Sequence, residues 1–374
     1  MKTESTSDNP LLENFRERPF WNPTHIAPHE VGQPMLRMDL NECPYPPSPR
    51  VLAAIDDAAH NLNRYPDGTC PRLTAELAAR TGVCAAQICY GGGSTQLLSG
   101  VADITVAPGD QLIAPELIWR RFAGIFQAVN ADLVAVPNRA DGAIDVDGML
   151  GAPGNNTRLM LVLTPNNPTG MMLDEPALQR IAHETPASTL LFVDEAYYEF
   201  AVHAGGPDAV AVLQASRRGP WVVTRTFSKA YALAGLRLGY ALCSSEEIAN
   251  ALRLVTSAFN VNGVAEAAAL AALEDTAYTQ MILEHTARER RRMIEGLRAL
   301  GFVPMPSVTN FVGVDVERNA GAVAQAMRER GVRIATFGYG AAGTCVRVSI
   351  GLPADTDLFL ETLAEVLTEL PPER

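Results

Sequence analysis

From about residue 88 to residue 243 the chain repeats one pattern: a short apolar run, a loop of small and polar residues, and then, in several places, an alanine- and leucine-rich stretch with helical spacing. The runs are QLIAP, ADLVAVP, RLMLVLTP, TLLFVDE, PWVVTRTF and LGYALC. Each reads as a buried strand. Strands that alternate with helices imply an α/β fold, a mostly parallel sheet covered by helices on both faces. Ligands of such open sheets sit at the carboxyl ends of the strands, so the residues that follow the runs matter most.

Four polar clusters occupy those ends. In YGGGSTQLL (90–98) three glycines allow close backbone approach, Gly93 leads into a helix, and Ser94 and Thr95 stand at its start, where free N–H groups bind phosphate. Taken alone this reads equally well as a plain strand-to-helix turn. In TPNNPTG (164–170) Asn167 precedes a proline and is held extended, with its amide free to donate to an oxygen; alone it is an ordinary turn. In FVDEAYYEF (192–200) Asp194 ends an apolar strand, and a carboxylate there needs a cation. Tyr197 follows three residues on. In TRTFSKAYALAGLRLGYAL (224–242) Thr226, Ser228 and Lys229 end a strand, and Arg237, a bidentate phosphate clamp, follows. The chain has 30 basic residues but only two lysines, Lys2 and Lys229. A lysine among buried apolar and cationic groups has a lowered pKa and serves as a Schiff-base nucleophile, which arginine cannot do.

Pyridoxal 5'-phosphate needs all four clusters. Its aldehyde requires Lys229, its ring nitrogen a buried carboxylate such as Asp194, and its ring oxygen donors such as Asn167 and Tyr197. Its phosphate requires the glycine-loop N–H groups, hydroxyls and an arginine.

The flanking segments differ in character. Residues 1–50 are rich in proline and polar residues and read as an irregular arm; residues 50–62 have helical spacing, and PRLTAELAARTGV is a helix opened by Pro71. After residue 272 come a long helical region, the run FVGVDV, a helix, the run TCVRVSIG and a last helix, an α+β module. The net charge of −12 argues against a nucleic-acid partner. No apolar run is long enough to span a membrane, and the polar first residues, MKTESTSDNP, lack a secretory h-region. Six scattered cysteines without a C-x-x-C pair suggest a reduced, cytoplasmic protein. His25 and His29 have the spacing of a metal pair on a helix, but Pro28 interrupts it, so no metal is expected.

The chain resembles the fold-type I pyridoxal-phosphate enzymes of the class I/II aminotransferases, within them the histidinol-phosphate aminotransferase group. The resemblance rests on LNECPYPPSP (40–49), RYPDG (64–68), GGGSTQLL, TPNNPTG, VDEAYYEF, TFSKAYALAGLRLGYAL, FNVN (259–262) and VRVSIG (346–351). It implies an N-terminal arm with part of the small domain over 1–62, a large cofactor-binding domain over 63–272 and a small α+β domain over 273–374. It implies that Lys229 holds the cofactor and moves protons, with Asp194, Asn167 and Tyr197 on the ring and Ser94, Thr95, Thr226, Ser228 and Arg237 on the phosphate. It further implies that Arg347 pairs with the substrate carboxylate, that Asn41 and Tyr45 close over the substrate, and that Tyr65 reaches the phosphate of a neighbouring subunit in a homodimer. The activity implied is amino transfer between an amino acid or amine and a 2-oxo acid such as 2-oxoglutarate. A decarboxylase or lyase of the same fold, like threonine-phosphate decarboxylase, uses the same cofactor site. A non-catalytic regulatory domain is disfavoured, since every catalytic position is filled.

Three departures stand out. The family's ring-stacking aromatic falls at Leu117 in PELIWRRF, and a two-residue insertion would bring Trp119 there instead. Ala232 stands where glycine is usual. In GVRIAT, Ala335 stands where the histidinol-phosphate enzymes have an arginine for the substrate phosphate; Arg333, on the same face of a strand, is the possible replacement. A substrate without phosphate, aromatic or small and neutral, is the preferred expectation.

Overall fold

The computed structural model describes residues 34–119, 121–338 and 343–372. The first part of the arm, with His25 and His29, lies outside the described residues. Each of the six predicted apolar runs is a strand: β3 (Gln111–Pro115), β4 (Asp132–Val136), β5 (Thr157–Leu163), β6 (Leu190–Asp194), β7 (Trp221–Thr226) and β8 (Leu238–Cys243); a seventh strand, β2 (Ile88–Gly92), runs into the glycine loop. They form one seven-stranded sheet in the order β2-β8-β7-β6-β5-β3-β4. The pairings β7–β6, β6–β5, β5–β3 and β3–β4 are parallel, while β8 runs antiparallel to both β7 and β2.

The unbroken apolar runs are explained by two cores, one on each face of the sheet. Along β6, Leu191 and Val193 enter one cluster with Met160, Val162 and Val223, whereas Leu190 and Phe192 enter the other with Leu161, Leu163 and Val222. Side chains of successive strand residues point to opposite faces, so a strand covered twice must be apolar throughout. The covering helices start where the sequence supplies caps. Asp174 accepts from Ala177 N at 2.9 Å to open Glu175–Glu184, and Ser245 accepts from Ile248 N at 3.3 Å to open Glu246–Val255. Pro71 opens Pro71–Thr81, which stops at Gly82 with φ of 69°.

A second sheet is built from β1 (Leu36–Met38), β10 (Val332–Phe337), β11 (Cys345–Ser349) and β9 (Phe311–Asp315), in that order. Its own core holds Met38, Met293, Val312, Val346, Val348 and Phe359. Strand β1 lies inside the segment that reads as irregular. It is three residues long and gains its hydrogen bonds from a parallel partner, Val332–Ile334, almost three hundred residues away, which no local pattern announces. The helix Pro49–Ala59 packs Val51, Ala54 and Ile55 into the core of the large sheet rather than the small one. Thus the chain passes from the small sheet to the large one between residues 38 and 49, and this passage crosses the mouth of the site.

Candidate active site

The carboxyl ends of β5, β6 and β7, the start of the helix Ser94–Thr105, the passage at Leu40–Asn41 and strand β11 enclose one cavity. Asn41, Ser94, Thr95, Trp119, Asn167, Asp194, Tyr197, Thr226, Ser228, Lys229, Arg237 and Arg347 all line it. These residues are spread from 41 to 347 in the chain.

Asp194 is the last residue of β6 and is 6% exposed. Its Oδ1 accepts from Ala196 N at 3.1 Å and from Thr224 Oγ1 at 3.2 Å. Burial pushes its carboxyl up to about 7, against the pull of those two bonds. No ion pair to Asp194 occurs among the described residues, unlike the neighbouring Glu195, whose carboxylate meets Arg225 at 2.8 Å. A buried carboxyl held by donors on one oxygen and left without a cation calls for a cationic N–H from the cavity.

Lys229 follows β7 and extends into the same space. Its Nζ donates to the backbone carbonyls of Leu40 at 3.0 Å and Asn41 at 2.9 Å. Burial, reinforced by the charges of Arg347 and Arg237, pushes its amine down to about 7. The amine therefore loses its proton, and becomes nucleophilic, far more readily than an ordinary lysine.

The anion cradle lies at the other end of the cavity. Thr226 Oγ1 bonds Ser228 Oγ at 3.0 Å, and Arg237 Nη1 reaches Ser228 Oγ at 3.4 Å and Ala234 O at 2.9 Å. The Ser94–Thr105 helix points its N-terminus at them after Gly93, whose φ of 79° and lack of Cβ leave room for the Arg237 guanidinium. Free helix N–H groups, hydroxyls and an arginine fork are a dianion site. Arg237 itself holds a left-handed φ of 55°.

On the side of the small sheet, Arg347 Nη1 donates to Asn167 Oδ1 at 2.6 Å, Nη2 donates to Asp39 O, and Nε is buried with no partner. No ion pair of Arg347 occurs among the described residues, so its charge is open to a carboxylate. Asn41 Nδ2 donates to the Tyr197 hydroxyl at 2.8 Å, and Asn167 Nδ2 reaches that hydroxyl at 3.4 Å. Burial pushes the Tyr197 phenol up to about 12, so it keeps its proton.

Three sequence-predicted residues stand apart from the cavity lining. Gly93 shapes the cradle without lining the cavity. Tyr65 is 82% exposed and stacks on Phe259, ring centroids 4.7 Å apart, on the outer surface. Tyr45 turns away and bonds His285 Nδ1 at 3.1 Å. Trp119 lines the cavity and Leu117 does not; Leu117 is tied by its backbone to Asn138 and Asn166. Sequence reasoning missed the backbone of Leu40, and Ser349, which bonds Asn41 twice. Ser349 lies two residues after Arg347 in the same strand, and the period of two was the signal that pointed to it. The six cysteines are all free, and no metal-ligating cluster and no helix long and apolar enough to cross a membrane occurs among the described residues.

These residues fit pyridoxal phosphate. The dianion cradle, the lysine amine, the buried carboxyl without a cation and the paired hydroxyl and amide donors match the phosphate, aldehyde, ring nitrogen and ring oxygen of that molecule in turn.

Comparison with known proteins agrees. Residues 33–365 match the family model "Aminotransferase class I and II". The chain is 42% identical over 334 residues to histidinol-phosphate aminotransferase 2 of Pseudomonas aeruginosa, covering 89% of each chain. It is 38% identical to an aromatic amino acid aminotransferase of Rhodococcus jostii, covering 87% of this chain and 88% of that one. Among solved structures, the histidinol-phosphate aminotransferase of Sinorhizobium meliloti in complex with pyridoxal-5'-phosphate superposes with a TM-score of 0.89 at 30% identity, covering 97% of this chain and 99% of that one.

Proposed function

The chain belongs to the class I and II aminotransferases, as a pyridoxal-phosphate-dependent enzyme, and from that premise we propose how its residues divide the work and which substrates they suit. The cofactor, when bound, supplies an electron sink for the charge left by removal of a substrate proton. Lys229 would anchor it, and its Nζ, when neutral and free, would take the substrate's α-proton and serve as its carrier. The carbonyls of Leu40 and Asn41 hold that amine in place. Asp194 keeps the ring nitrogen protonated. Ser94, Thr95, Thr226, Ser228 and Arg237, with Gly93 leaving space, bind the phosphate. Trp119 covers the ring, Asn167 and Tyr197 serve the ring oxygen, and Arg347 orients the substrate carboxylate. The observation that carries this reading is the convergence in one cavity of an enclosed lysine amine, a buried carboxyl without a cation and an arginine with an unpartnered Nε.

The substrate side chain extends from Arg347 toward a second cavity, lined by Ile118, Trp119, Pro168, Ala335 and Phe337 together with Arg333 and Asp39. Arg333 Nε sits 3.2 Å from Asp39 Oδ2. Its charge is thereby taken, and a phosphate in that place would meet the Asp39 carboxylate. Arg328 also lines this cavity and has a partner of its own. The reading is an aromatic or neutral amino donor rather than a phosphorylated one, with 2-oxoglutarate as acceptor. The unit is read as a cytoplasmic homodimer. Exposed Leu62, Tyr65, Leu254 and Phe259 supply an apolar surface for a second copy, and Tyr65 would reach the phosphate site of that copy. The division into an arm, a large domain over 63–272 and a small domain over 273–374 is retained as a proposal, with Pro49–Ala59 packed on the large core.

The test is a half-reaction screen. Single amino acids are added to cofactor-loaded protein, and the visible band is followed together with release of the oxo acid. Loss of the band with an aromatic or neutral amino acid supports the reading; loss only with histidinol phosphate refutes the substrate assignment. Lys229→Ala should abolish turnover, and substantial residual transamination in that variant would remove Lys229 from its role.

A further inference from the structure

Tyr197 has one proton to give, and the groups around its hydroxyl decide where that proton points. Asn41 Nδ2 at 2.8 Å and Asn167 Nδ2 at 3.4 Å are both N–H donors, so they take its lone pairs and cannot accept from it. Asn167 is fixed in this orientation because its Oδ1 accepts from Arg347 Nη1 at 2.6 Å. Asn41 is fixed by Ser349. The Asn41 backbone N–H can only donate, and it donates to Ser349 Oγ at 2.8 Å. The serine proton is left for Asn41 Oδ1, 3.1 Å away, which turns Nδ2 toward Tyr197. The opposite amide orientation would face two donors at Ser349 and leave a hydroxyl that is 4% exposed with no acceptor. Asn41 is 1% exposed, holds a left-handed φ of 54°, and is pinned again by Asn310 Nδ2 on its carbonyl at 3.0 Å. The hydrogen bonds therefore run one way, from Ser349 to Asn41 to Tyr197.

We propose that Ser349 and Asn41 are positioning residues that make the Tyr197 hydroxyl a fixed hydrogen-bond donor toward the oxygen on the cofactor ring. The inference rests on the placement of Tyr197 beside that ring proposed above. Ser349 and Arg347 share one face of β11, so the strand that receives the substrate carboxylate also sets this donor.

The readout is the pH midpoint of the visible absorption of cofactor-loaded protein. That change follows loss of the proton beside the ring oxygen, and a donor on the oxygen favours the deprotonated form. Removing the donor therefore raises the midpoint, by about half to one pH unit for one net hydrogen bond. Tyr197→Phe and Ser349→Ala should each raise it. Ser349→Thr, which keeps the hydroxyl, should restore the original value. In the Tyr197→Phe background Ser349→Ala should add nothing. Asn41→Ala interrupts the same relay and replaces Ser349→Ala if that variant does not fold. An unmoved midpoint in Tyr197→Phe overturns the placement of Tyr197 and the relay with it. A midpoint that moves in Tyr197→Phe but not in Ser349→Ala, or one that Ser349→Ala moves equally with and without the tyrosine hydroxyl, overturns the relay alone.

Discussion

Replacing Asp194 by asparagine should act in opposite directions on the protein and on its cofactor. Burial raises this carboxyl from 3.8 to about 7. The folded, cofactor-free chain therefore keeps a proton there that the unfolded chain releases, and its stability falls as pH rises through that window. A difference of about 3 units at 1.36 kcal/mol each is a cost of about 4 kcal/mol, complete above the folded value. Asparagine keeps the shape, and its Oδ1 can accept the same bonds from Ala196 N and Thr224 Oγ1, but it has no charge to desolvate. The cofactor-free variant should thus gain on the wild type as pH rises, the gap widening by about 2–3 kcal/mol from pH 5 to pH 8.5. Urea unfolding at several pH values measures it, and the opposite pH dependence of Lys229 cancels in the difference. The same substitution removes the anion that the protonated ring nitrogen requires, so cofactor affinity should fall at least about tenfold, or 1.4 kcal/mol. A gap that stays constant or closes as pH rises, or an unchanged affinity, would refute the reasoning.

Three further outcomes follow from the same structure. Arg225 is buried between Glu195 and Asp208, 2.8 Å from each, and Arg225→Met strands a buried carboxylate; unfolding should show a loss of about 3–5 kcal/mol at pH 8 that shrinks as pH falls, because Glu195, already raised by burial and now without its cation, gains a proton more readily. Ala232 holds a left-handed φ of 58°, so Ala232→Gly should raise stability by about 0.5–1 kcal/mol in the same assay. Arg347→Lys loses the fork that matches a carboxylate, and steady-state kinetics should show KM for the amino donor raised about tenfold or more, with kcat less affected.

The large sheet was legible because a strand buried on both faces has to be apolar throughout, and the runs TLLFVDE, PWVVTRTF and LGYALC end in, or are flanked by, residues with distinctive chemistry. Lys229, Asp194 and Arg237 could be read for that reason. The glycine usual at Ala232 makes sense once the backbone is seen: the position is left-handed, which sequence alone does not display. Strand β1 escaped because its partner is remote and its length is three residues. Leu40 escaped because it acts through its carbonyl, which every residue has. Ser349 was within reach, two residues beyond Arg347, but a serine at a strand end has no distinctive pattern until Asn41 is placed against it. Tyr45 shows the reverse case, a residue that matches a motif but points at His285 instead of the cavity.

The central claim is that Lys229 holds pyridoxal phosphate, and the chain makes it simple to test because Lys2 is its only other lysine. Borohydride reduction of the loaded protein fixes the cofactor to the lysine that carries it, and peptide mass spectrometry then locates it. The account predicts one equivalent of reduced cofactor on the peptide that contains Lys229 and none on Lys2. Label on Lys2 alone, or none on either, would contradict it.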